Sequence, residues 1–177
     1  MDILQFLTDA HGQNGGVTIK VDPSAFVNAP EDAKARFIAP KTIVFRSAYD
    51  ITIHNLFEEV MHVIQEYCYP GGIDTSVLNF EYEAKVMTDI INFSIYDGYH
   101  LIGRPYFPDN GEEQIAINRN YFNWIMDIAN KKYTDWSDVD KFNHFLQHWN
   151  HAYYTSVSSI STSYQLFLLT GFLRPKN

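Results

Sequence analysis

The amino-acid sequence predicts an α+β fold in which helices dominate. Two short apolar runs near the start alternate as strands do. From about residue 50 onward, apolar residues recur at helical spacing in five longer segments. Pro, Gly and Asp clusters separate those segments where helices should stop and start.

In chain order, the first 40 residues are rich in turn formers (Gly12, Gly15, Gly16, Pro23, Pro30, Pro40) around one strand, Val17-Thr18-Ile19-Lys20-Val21. A second strand, Thr42-Ile43-Val44-Phe45-Arg46, follows Pro40. A helix is expected from about Asp50 to Tyr69, stopped by Pro70-Gly71-Gly72. The second helix runs from a cap at Asp74-Thr75-Ser76 to about Tyr96, where Asp97-Gly98 ends it. Three more are expected near residues 113–131, 136–152 and 156–171, with Asp135-Trp136-Ser137-Asp138 capping the second of these. A chain of 177 residues buries a substantial core as one domain, so a single domain over 1–177 is expected.

Composition narrows the function. The formal net charge is −8 and the longest basic run is Lys131-Lys132, which argues against nucleic acid as a partner. Cys68 is the lone cysteine, so neither an internal disulfide nor a Cys-x-x-Cys metal site can form. Met1-Asp2-Ile3-Leu4-Gln5 lacks the basic stretch of a secretory signal, and no apolar run reaches spanning length. The expectation is a cytoplasmic protein without membrane contact. Aromatic residues make up 16% of the chain, enough to build either a ring-rich core or a groove for a peptide or protein partner.

On a helical wheel of about 100° per residue, the first helix separates into two faces. Phe57, Val60, Met61, Ile64, Leu56, Ile53 and Tyr67 form the apolar one; His54, Asn55, Glu58, His62 and Gln65 lie opposite, flanked by Glu59 and Glu66. Glu58 and His62 are one turn apart, so their side chains share a surface. On the second helix, Thr88, Glu81, Asn92, Lys85 and Asp89 make a polar face, while Glu83 falls amid the apolar one with Phe80, Ala84, Met87, Ile90 and Ile91. A carboxylate taken out of water needs a partner or a metal. His62, on the neighbouring helix in sequence, is one candidate, and a backbone hydrogen bond is another.

The segment Leu56-Phe57-Glu58-Glu59-Val60-Met61-His62 resembles the His-Glu-x-x-His helix of zincin metallopeptidases, with Glu58 in place of the first histidine. Phe80-Glu81-Tyr82-Glu83-Ala84-Lys85 is similar to the Glu-x-Glu-Ala pattern on the following helix of small gluzincin-type (ImmA/IrrE-like) peptidases, where the second Glu is the third metal ligand. The resemblance covers roughly residues 42–90. It implies a zincin-like core, Glu58, His62 and Glu83 as metal ligands, Glu59 as the catalytic general base, and zinc as the cofactor, bound weakly or lost. A ligand set of two carboxylates and one imidazole carries one more negative charge than the family's, which weakens a metal as a Lewis acid. The function expected is therefore a degenerate metallopeptidase relative with weak or absent zinc hydrolysis, turned to binding peptide or protein; the alternatives are an active peptidase using the same residues and a helical binding domain unrelated to peptidases. A separate cluster, Asp140, His144, His148 and His151, falls on one face of the fourth helix.

Overall fold

A computed structural model describes residues 16–69, 78–96, 101–104, 111–130 and 137–153, with the backbone alone at 95–96, 137–139 and 150–153. The architecture is α+β and helix-dominated, with a small sheet of three strands, β1 (Thr18–Val21), β2 (Ala35–Ile38) and β3 (Thr42–Phe45). Among the described residues there are four α-helices: α1 (Ile53–Cys68), α2 (Leu78–Tyr96), α3 (Gly111–Ala129) and α4 (Ser137–Tyr153). The helix expected at 156–171, the Asp74-Thr75-Ser76 cap and the Pro70-Gly71-Gly72 stop lie outside the described residues. The chain divides into two compact units, residues 1–73 and 74–177.

In the first unit β3 is the central strand, parallel to β1 and antiparallel to β2. The centre of a sheet is its most enclosed position, and Ile43, Val44 and Phe45 are all 0% exposed. β2 is absent from the sequence reading. It lies among turn formers, and only four residues of it alternate, with Ala35 and Phe37 half-buried and Arg36 and Ile38 exposed. Its register places Ala35 opposite Phe45 and Phe37 opposite Ile43, which puts these four side chains on one face. α1 packs on that face through Leu56, Val60 and Val63, a stripe at i, i+4 and i+7. Thr52 caps α1, its hydroxyl accepting from the Asn55 N–H.

The two faces expected of α1 correspond to its burial only in part: Met61 and Ile64 of the apolar side are buried. Glu59, His62 and Gln65, assigned to the polar side or its flank, are buried, whereas Ile53 and Tyr67 from the apolar side are exposed. The stripe that meets the sheet is rotated around the helix from its richest apolar face.

In the second unit α2 packs against α3 and α4. Tyr82 of α2 meets Phe142 and Trp149 of α4, with ring centroids 5.1 and 5.2 Å away. Tyr121, Trp124 and Phe145 form a second group with centroids 5.3–5.9 Å apart. All six rings are buried, so these aromatic residues build core. α2 is also enclosed where the sequence assigned it a polar face, since Thr88, Asp89 and Asn92 are buried along with Ile90 and Val86.

Asp89 shows how such a group is accommodated. Its Oδ1 accepts from the Ile102 N–H, and its Oδ2 accepts from the Gly103 N–H and the Tyr121 hydroxyl, each at 2.7 Å. One carboxylate thereby ties the Leu101–Arg104 segment and α3 to α2. Glycine at 103 is required by space: a Cβ there would run into the Tyr121 hydroxyl and lie 3.1 Å from Asp89 Oδ2. Burial pushes the Asp89 carboxyl from its ordinary 3.8 up to about 7, against the opposing pull of the three hydrogen bonds and Lys85.

These contacts have measurable consequences. Because the folded chain holds the Asp89 proton more tightly than the unfolded chain, this group's contribution to stability is full below about pH 4 and is lost as pH rises through about 7. Tyr121→Phe removes a donor from the ionised form, so it should destabilise by ~1.5–3 kcal/mol at about pH 8 and by less at about pH 5. Urea denaturation at the two pH values checks this, and an equal loss at both would show that the hydroxyl does not act through the Asp89 charge. Gly103→Ala should cost ~1–3 kcal/mol through overpacking.

Candidate metal centre

The candidate residues on α1 occupy its second and third turns, and the helical repeat sets their directions. Glu58 and His62 are four residues apart and lie one above the other; Glu59 is turned about 100° from Glu58. Glu58 is half-buried, while Glu59 and His62 are 7% and 8% exposed. The His62 ring stacks on Phe37 of β2, with centroids 6.4 Å apart and planes inclined by 29°. The sheet thus holds one side of the imidazole in place.

Gln65 fixes the ring further. It is fully buried, and its Oε1 lies 2.8 Å from His62 Nδ1. A carbonyl oxygen only accepts, so Nδ1 carries the proton and donates it, which puts the imidazole lone pair on Nε2. Metal-binding histidines are commonly oriented in this way: a second group takes one ring N–H and the opposite nitrogen becomes the donor to the metal. The sequence reading gave Gln65 no role. The signal was its position one turn after His62, where an amide reaches back to an imidazole, but the sequence does not say which of its rotamers packing allows.

Within the first unit, Glu58 and His62 offer ligand atoms that lie within 4.8 Å of one another, a pair that could share in holding a metal ion. Glu83, the third ligand that the resemblance implies, and Glu81 both lie on α2, in the second unit. On α2 the two carboxylates are about 200° apart around the axis, so they serve different surroundings. Glu81 keeps 32% of its side chain exposed and pairs with Lys85 at 3.2 Å, one turn on. Glu83 is fully buried, in keeping with its place among the apolar positions of the helix.

The pair on α1 offers one carboxylate oxygen and one imidazole nitrogen. Carboxylates favour harder cations such as Mn²⁺ and Mg²⁺, whereas imidazole favours Zn²⁺ and its neighbours. Their chemistry fits a divalent cation, with a weaker bias to zinc than two imidazoles would give. Among the described residues no helix is long and apolar enough to cross a membrane.

Comparison of the chain with protein-family models, curated proteins and solved structures found no match.

The hydrogen bond between His62 and Gln65 can be tested directly. Gln65→Met keeps the bulk but removes the acceptor, leaving a buried N–H without that partner, and should destabilise by ~1–3 kcal/mol. Nitrogen NMR of the His62 ring reports the tautomer. It should show the proton on Nδ1 in the wild type and a mixture of tautomers in Gln65→Met; the same tautomer in both would mean that Gln65 does not set it.

Proposed function

We propose that this chain is a metal-binding relative of the zincin metallopeptidases in which peptide cleavage is weak or lost and binding of peptide or protein remains. The observation that carries the reading is the state of His62. It is buried, stacked on Phe37 and anchored at Nδ1 by Gln65, and it stands one turn after Glu58 in a Glu58-Glu59-x-x-His62 helix that resembles the zincin motif. Holding an imidazole in one tautomer against a sheet is what a metal ligand needs.

In this reading His62 offers Nε2 and Glu58 offers a carboxylate oxygen from the preceding turn. The resemblance implies Glu83 as the third ligand and second carboxylate. A bound divalent cation supplies Lewis acidity and makes a nearby water more acidic. Glu59 is the residue that would accept a proton from that water. The second carboxylate works against cleavage, because its charge reduces the electron demand of the cation. Loss of the first histidine of the motif is therefore the main reason to favour binding over hydrolysis.

The decisive comparison is between the wild type and Glu58→His. Titration calorimetry with Zn²⁺ and Mn²⁺ at neutral pH should give weak zinc binding by the wild type and a clear gain in the variant, since the replacement restores a softer, less negative donor set. His62→Gln should remove the gain when combined with Glu58→His. A peptidase assay on the histidine variant, with Glu59→Gln as its control, reads out any recovered cleavage. If Glu58→His binds zinc no better than wild type, the metal reading fails. Tight zinc binding and cleavage by the wild type would instead identify an active peptidase and overturn the proposed loss of catalysis.

A further inference from the structure

A pair of histidines on α4, in the second unit, is independent of the α1 residues. His144 and His148 are one turn apart on α4, and their rings meet edge to face, with centroids 4.7 Å apart and planes inclined by 69°. His144 is exposed and His148 half-buried. Both belong to the stripe on which Asp140 also falls, one turn before His144 and exposed. The opposite side of α4 is occupied by Phe142, Phe145, Leu146 and Trp149, which are buried in the core. Packing by these four residues anchors the helix, so the two imidazoles are presented from a rigid surface.

We infer that His144 and His148 form a surface chelate for a late first-row divalent cation, with Cu²⁺ bound most tightly and Ni²⁺ and Zn²⁺ less so. Nitrogen ligands at about 2.0–2.1 Å around a tetrahedral centre stand about 3.4 Å apart, a separation within reach of two rings whose centroids are this close. Histidines at i and i+4 approach one another without altering the helix backbone, so little reorganisation is needed. The edge contact between His144 and Phe145, with centroids 5.3 Å apart, restricts the first ring further. The ranking of metals follows from imidazole donors and from the general order of affinity in the first row. Water and small anions complete the coordination, since two protein ligands leave positions open. Asp140 adds negative potential beside the pair, while Lys141 on the adjoining stripe opposes it.

A cation competes with protons for the imidazole nitrogens, so affinity should fall as pH is lowered. A cation held by folded α4 and only poorly by the unfolded chain should also raise the melting temperature. The experiment is titration of the full chain with Ni²⁺, Zn²⁺ and Cu²⁺, followed by calorimetry and thermal denaturation. It is run in a Glu58→Gln, His62→Gln background so that the α1 residues contribute nothing. Saturable binding that disappears in His144→Gln, with unchanged circular dichroism, supports the chelate; position 144 is exposed, so this variant should fold. His148→Gln should give the same loss. Binding that persists with equal stoichiometry in His144→Gln would overturn the proposal, as would absence of saturable Ni²⁺ or Cu²⁺ binding at about pH 7.5. Since the α1 ligands are removed throughout, neither result bears on their metal reading.

Discussion

A carboxylate with no exposure to solvent has to be surrounded by donors or give up its charge, and Asp89 is met by donors from three places. Two are backbone N–H groups at Ile102 and Gly103, and the third is the Tyr121 hydroxyl on α3. Such bonds are geometrically demanding, so they fix where the Leu101–Arg104 segment passes and how α3 lies on α2. The small residue at 103 follows from the same requirement, since its backbone must approach both the carboxylate and the tyrosine. The aromatic groups around Tyr121, Trp124 and Phe145 then fill the space that this arrangement sets. A buried polar contact gives the second unit its specificity, and buried rings pack around it.

The first unit rests on a different constraint. A strand at the middle of a sheet has both edges occupied, so β3 carries Ile43, Val44 and Phe45 without exposure. Helix α1 covers one face of that sheet, and His62 and Gln65 of the same helix are buried as well. An imidazole on the nominally polar side of α1 thus comes to lie on Phe37 and to donate to a buried amide. The sheet and Gln65 together fix the position of the His62 ring.

Fold class, strand β1, strand β3 and the four described helices were legible in the residues, because alternation, helical spacing, caps and breakers are local signals read over a few turns. The pairing of Glu58 with His62 was legible for the same reason, as was the burial of Glu83, which sits among apolar residues on its own helix. The His144–His148 contact also follows from one helix and its repeat.

Tertiary structure decided the rest. The short β2 strand exists because β3 offers it an edge, and four alternating residues between prolines are too weak a local pattern to announce it. Asp89 lies on the polar stripe of α2 by sequence and is buried in the structure because donors from residues 13, 14 and 32 positions away reach it. Gln65 became the partner of His62 through side-chain packing that no count of apolar residues specifies. A helical repeat determines which side chains share a stripe. Which stripe is enclosed, and what meets it there, depends on surfaces brought together from distant parts of the chain.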